Sequence, residues 1–158
     1  MADIFSPSKR SMVMSHIRGR GNLTTELRLA KLLRRSGIKG WRRHAHLPGT
    51  PDFCFPKSHI CVFVHGCFWH SCPHCGKRSK TRARYWNDKL RQNRARDIRV
   101  ARKLRALGYR VITIWECRLR TTSNATTQIR KLARFLHFPP TMLPAGYKGW
   151  SGISPASR

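Results

Sequence analysis

The stretch CVFVHGCFWHSCPHC, Cys61 to Cys75, constrains the fold more than any other part of the chain. Its first residues, Cys61-Val62-Phe63-Val64, are apolar and rich in β-branched and aromatic side chains, the pattern of a buried strand. After Gly66 the same stretch crowds histidines, cysteines and the pair Phe68-Trp69 into a few positions that a hydrophobic core would not tolerate. A core strand thus runs straight into a cluster suited to chemistry rather than packing.

The rest of the chain supplies partners for that strand. NLTTELRLAKLLRRSG predicts a helix capped at Asn22 or Thr24, with Leu23, Leu27, Ala30 and Leu33 on one face and Gly37 as terminator. WRRHAHLPGTPDFCFP breaks at Pro48-Gly49 and resumes as a short strand around Phe53. The central strand follows from His59 to His65. A long helix is expected from about Trp86 to Leu107, with Leu90, Ile98, Ala101 and Leu104 as its buried stripe and Gly108 as its end. YRVITIWEC reads as a third strand and TTQIRKLARFLHF as a last amphipathic helix. The order α, β, β, α, β, α predicts an α/β domain, a mixed central sheet flanked by helices. Its expected extent is residues 1–138, with a basic arm over 1–21 and a Pro/Gly/Ser-rich irregular tail over 139–158.

The net charge of +27, from 33 Lys and Arg against six acids, costs folding stability through self-repulsion. A polyanionic partner accounts for it, and nucleic acid is the first candidate. An anionic membrane is the second, but no basic amphipathic helix, lipidation signal or long apolar run supports it. The start, MADIFSPSKR, lacks the apolar core of a secretory signal, so a reducing cytoplasm is expected, where six cysteines point to metal or free thiols.

With so few acids, each one is informative. Asp52 stands in PGTPDF, after a turn and immediately before a strand. A carboxylate there can offer the hard oxygen that Mg²⁺ requires for phosphodiester hydrolysis, or it can simply cap the turn. His65 ends the central strand and His70 follows across Gly66. Either can take a proton or hydrogen-bond a phosphate near neutral pH; the other reading makes them zinc ligands or packed side chains.

Cys54 and Cys61 lie within strands and read as small apolar residues. Cys67, Cys72 and Cys75 have the spacing C-x4-C-x2-C, and Cys117 ends the third strand. Four thiolates suit a closed tetrahedral zinc site, in which His74 could replace a cysteine; a redox dithiol is the competing reading. Phe68 and Trp69, between Cys67 and His70, are hard to bury on both sides. With Trp86 they can pack, or stack on or wedge between bases.

In LPGTPDF, VFVHGCFWH, Tyr85-Trp86, NRARD and VITIWEC, taken in that order and spacing, the chain resembles the very short patch repair (Vsr) endonucleases over roughly residues 8–120. The resemblance implies a fold related to restriction endonucleases, a structural Zn²⁺, and Mg²⁺-dependent nicking of duplex DNA. The cut falls 5′ of the thymine in a T·G mismatch left by deamination of 5-methylcytosine. Carried over by position, it makes Asp52 and the backbone carbonyl of Val64 the Mg²⁺ ligands and His70 the general base. His65 would contact the scissile phosphate, and Glu26 would support the base and the metal's water shell. Phe68, Trp69 and Trp86 would enter the DNA, and Cys67, Cys72, Cys75 and Cys117 would bind zinc. It further implies a bacterial protein acting at the nucleoid, functionally linked to a cytosine methyltransferase; nothing in the sequence indicates an oligomer, and a monomer is the expectation. Val64 stands where threonine can occur, and no E-x-K follows the PD turn. A restriction-type nuclease without mismatch preference and a non-catalytic zinc DNA-binding module are the alternatives.

Overall fold

Strand β3 (Ile60–His65) is the spine of the computed structural model, which describes residues 21–76 and 82–137. The expected tail over 139–158, and all of the expected arm except Gly21, lie outside the described residues. On one side β3 pairs antiparallel with β2 (Phe53–Phe55), which pairs antiparallel with the two-residue strand β1 (Arg42–Arg43). On the other side β3 runs parallel to β4 (Arg110–Trp115), in register from Ile60↔Arg110 to His65↔Trp115. The sheet is therefore mixed, ordered β1-β2-β3-β4, and the α/β expectation holds. Strand β1 was not anticipated, because two consecutive arginines carry no strand signature; its partners Cys54 and Phe53 impose the conformation.

Three helices cover the sheet: α1 (Glu26–Arg35), α2 (Ala83–Ala106) and α3 (Thr122–His137). Strand alternation decides which helix each side chain meets. Phe53, Phe55, Ile60, Val62, Ile112 and Ile114 pack with Leu29 and Leu33 of α1 and Leu132 and Phe135 of α3. Cys54, Cys61, Phe63 and Val111 pack instead with Val100 and Leu104 of α2. Burial raises the pKa of both strand thiols, that of Cys61 to about 12, so they remain neutral core atoms. The result is three layers, with α1 and α3 on one face and α2 on the other.

Helix ends depart from the expected ones for local reasons. The Asn22 side chain accepts hydrogen bonds from the Thr24 amide and hydroxyl at 3.0 and 2.9 Å, which forms a turn instead of a helical cap. Helix α1 therefore starts at Glu26, and Leu23, expected on the buried face, is 78% exposed. Gly37 does terminate α1, with φ 66, as Ile38 N–H returns to the Leu33 carbonyl at 3.0 Å. Helix α2 begins three residues before Trp86, which joins Leu90, Ala101 and Leu104 in the buried stripe; Ile98 is only half-buried. The final residues of the third expected strand form a 3-10 turn, Glu116–Leu119, followed by α3 from Thr122. Arg28 of α1 holds that turn through the Leu119 and Arg120 carbonyls.

Gly49 fixes the loop that leads to Asp52. Its φ is 73, and a Cβ there would sit 2.3 Å from Val100 Cγ1 on α2. Gly49→Ala is expected to destabilise the protein by about 2–4 kcal/mol, through overpacking and a left-handed backbone. Combining it with Val100→Ala should relieve the overpacking and restore part of the loss. Urea midpoints of the two variants check both effects; a wild-type midpoint for Gly49→Ala would contradict them.

Candidate active site

The candidate side chains gather where β3 ends. The β2–β3 register would set Pro51 opposite Val64, but β2 begins only at Phe53. The Val64 N–H donates instead to Asp52 Oδ2 at 2.7 Å, so a side chain continues the ladder and fixes the carboxylate against the strand. Burial is the main reason that the Asp52 pKa rises to about 6; the negative Glu26 adds to this, while the Val64 amide, Arg43 and His70 oppose it.

Glu26, at the start of α1, is almost fully buried. Its Oε2 accepts from Arg43 at 2.5 Å and from the Gly21 amide at 3.2 Å, with His44 Nε2 at 3.4 Å. Glu26, His44 and Asp52 each bring one ligand atom into a group whose members lie within 4.8 Å of one another.

A second group forms on the α2 side of the sheet. His65 and His70 stack with ring centroids 3.8 Å apart and 13° between planes. His70 Nδ1 lies 2.6 Å from Asp97 Oδ2 on α2. Burial, reinforced by His70, depresses the His65 pKa to about 3, so its ring is neutral at physiological pH. Burial pushes the Asp97 carboxyl up, but its hydrogen bond and attraction to His70 outweigh this and hold it ionised below the usual range. An ionised Asp97 can only accept, so His70 Nδ1 carries the proton between them, and the bond fixes the ring with Nε2 turned away from Asp97. Neither histidine belongs to the cysteine group; the two cluster with Asp97.

The rings beside them form one cluster. Phe68 meets Trp69 and Trp86 edge-on at 5.3 and 4.9 Å, and Trp69 meets Trp86 at 5.8 Å. Trp86 is buried at 8% exposure, while Phe68 and Trp69 are half-buried and Tyr85 extends the cluster outward. The Asn93 amide of α2 donates to the Trp69 carbonyl at 2.9 Å.

Beyond the rings, the sulfurs of Cys67, Cys72, Cys75 and Cys117 lie within 4.8 Å of one another. Tetrahedral coordination with metal–sulfur bonds of about 2.3 Å sets sulfurs about 3.8 Å apart. The Cys72 and Cys117 sulfurs are 3.7 Å apart. The amides of Cys117 and His74 point at the sulfurs of Cys67 and Cys72, at 3.3 and 3.4 Å, while burial pushes the Cys67 and Cys117 thiols up in the absence of a metal. Glu116 anchors the turn by accepting from the Cys67 amide at 3.2 Å. The donor set can hold a metal. The His74 ring lies outside this group, with Nδ1 3.2 Å from Arg118.

The sequence model described as DNA mismatch endonuclease Vsr matches residues 2–77. Over 134 residues the chain is 37% identical to the type II nicking enzyme V.XorIIP of Xanthomonas oryzae, covering 84% of this chain and 97% of that one. It is 39% identical over 130 residues to the DNA mismatch endonuclease Vsr of Escherichia coli, with 81% and 82% covered. The chain belongs to the Vsr family. Membership makes DNA its partner and endonucleolytic cleavage its class of reaction. Among the described residues no helix is long and apolar enough to cross a membrane.

Within this Vsr-family site, sequence reasoning did not assign Asp97, Asn93, Glu116, Arg43 or His44. Asp97 and Asn93 carried a usable signal, since NRARD places them four residues apart on one helix face.

The raised Asp52 pKa has a consequence for stability. Without metal, an ionised Asp52 costs stability above about pH 6; the cost shrinks as pH falls and vanishes below the ordinary value of 3.8. Asp52→Asn keeps an acceptor for Val64 and removes the charge. In buffer without added divalent ions it should stabilise the protein at pH 7–8 by on the order of 2–3 kcal/mol at most. Denaturant melts should show that gap closing towards pH 4; an equal gap at both pH values would contradict this.

Proposed function

We propose that the protein nicks duplex DNA at T·G mismatches, on the 5′ side of the mismatched thymine, using Mg²⁺ at Asp52 and a structural Zn²⁺ on the four cysteines. The observation that carries this reading is the His70–Asp97 pair, set on the His65 ring at the end of the strand that holds Asp52 and next to three clustered aromatic rings. Mismatch action is named for the Escherichia coli relative and nicking for the Xanthomonas one, and both activities suit this arrangement.

In this reading His70 Nε2 takes a proton from the attacking water while Asp97 steadies the imidazolium that forms. The new oxygen–phosphorus bond replaces one ester bond, and the leaving sugar oxygen acquires a proton. His65, held neutral, hydrogen-bonds the scissile phosphate. Asp52 and the Val64 carbonyl are hard oxygen donors that fit Mg²⁺, and Glu26 orders water around them. A divalent ion there would stabilise charge on the phosphoryl oxygens. The net charge of +27 holds the polyanion. Phe68, Trp69 and Trp86 open the base step, at lower cost beside a wobble pair than beside a Watson–Crick pair. The enzyme acts as a monomer in a bacterial cytoplasm, at the nucleoid, where a cytosine methyltransferase makes the 5-methylcytosine whose deamination leaves the mismatch.

A nicking assay on T·G and T·A duplexes, with and without Mg²⁺, tests this directly. Asp52→Ala should abolish nicking yet retain T·G binding, and His70→Ala should slow it by about 10²–10⁴-fold. Trp69→Ala should instead erode discrimination between T·G and T·A by about a hundredfold, a few kcal/mol. Equal cleavage of both duplexes by the wild type would favour a restriction-type nuclease.

Zinc is tested separately. Purified, reduced protein should contain about one zinc per chain, and Cys117→Ser should lower both metal content and melting temperature. Protein that is folded and free of zinc would remove this part of the reading.

A further inference from the structure

We propose that His44 is a nitrogen ligand of the catalytic metal, giving this site a higher affinity for Mn²⁺ than for Mg²⁺. The inference rests on Asp52 being a metal ligand and adds a residue outside the resemblance-derived set. His44 follows β1 directly and adopts φ 50, a left-handed backbone that histidine, asparagine and aspartate enter more readily than most residues. There its Nε2 lies 3.4 Å from Glu26 Oε2, and both residues group with Asp52. Ligands sharing one octahedral ion lie about 3–4.4 Å apart, so the spacing needs little adjustment. Arg43 and the Gly21 amide both hold Glu26 Oε2, so Glu26 keeps its place ordering the ion's water, and His44 and Asp52 bring the ligand atoms.

The chemistry of the donors then decides the metal. Oxygen donors alone, from Asp52 and the Val64 carbonyl, would suit Mg²⁺, which takes oxygen ligands and gives up its water reluctantly. An imidazole nitrogen adds little for Mg²⁺ but strengthens binding of first-row transition ions, Mn²⁺ included. The site would therefore accept Mg²⁺ at millimolar supply and capture Mn²⁺ at lower concentration.

The test reads metal binding without DNA. Wild type, His44→Asn, His44→Gly and Asp52→Ala are titrated with Mn²⁺ and with Mg²⁺, and the Mn²⁺ forms are studied by pulsed electron paramagnetic resonance. Asparagine and glycine both suit the left-handed backbone, so at least one replacement should fold as the wild type does. Wild type should show ¹⁴N coupling from a directly bound imidazole. The His44 variants should lose that coupling and bind Mn²⁺ about tenfold more weakly, with the Mg²⁺ affinity changing far less. Absent nitrogen coupling in wild type, coupling that survives in the His44 variants, or equal loss of both affinities would overturn the proposal. The Asp52→Ala arm separates the two ideas. If Mn²⁺ binding is unaffected there, the Asp52 metal reading itself fails; if it is lost while His44 variants behave as wild type, only the His44 proposal fails.

Discussion

Parallel pairing of β3 with β4 is the interaction on which the rest of the molecule depends. The register ends at His65↔Trp115, and both chains continue past the sheet with the same offset. Two residues later each reaches a cysteine, so Cys67 and Cys117 arrive side by side and the Cys117 amide meets the Cys67 sulfur at 3.3 Å. The same pairing holds His65 on the α2 face, where His70 and Asp97 meet it. A slip of one residue would turn His65 into the opposite core layer and separate the sulfurs.

Acids are scarce, and their placement shows where negative charge is indispensable. Five of the six lie among the described residues. Asp52 and Glu26 form one group, Asp97 holds His70, and Glu116 anchors the amide of Cys67. Of these five, only Asp88, paired with Arg91 one helical turn away, is an ordinary surface acid. In a chain of net charge +27, a carboxylate away from such positions would weaken the grip on a polyanion without compensation. This also explains the raised Asp52 pKa: burial beside Glu26 opposes ionisation, and Arg43 only partly relieves it.

Much of this was legible in the sequence because the strongest signals are local. Strands β3 and β4 are dominated by β-branched and aromatic residues, and Gly37 and Gly108 end helices with positive φ as their positions suggest. What escaped depends on contacts distant in sequence. Strand β1 exists because Arg42 and Arg43 face Cys54 and Phe53, and nothing in two arginines announces that. Leu23 fits the helical period of α1 but lies in a turn held by the Asn22 side chain. Trp86 packs against Phe68, Trp69 and Tyr85 and is only 8% exposed, a contact set that its place after a basic run does not announce. Asp97 and His70 stand 27 positions apart, and only the docking of α2 on the sheet makes them partners.

Under the proposed function, that docking would also couple recognition to chemistry. The turn after β3 is short and tightly bonded, with Cys72 N–H on the Cys67 carbonyl at 2.9 Å and His70 N–H on that of Gly66 at 3.3 Å. It carries Phe68, Trp69 and His70 in succession and is fastened to α2 at two points one helical turn apart. Asn93 holds the Trp69 carbonyl and Asp97 holds His70 Nδ1. Rings that part to admit a base step would pull on this turn, and a turn so bonded transmits the displacement to the next residue. Because Asn93 and Asp97 belong to the same rigid helix, ring insertion and base alignment would then respond to a single movement. A duplex that resists insertion would leave the rings packed on Trp86, and the base would not be drawn to the phosphate.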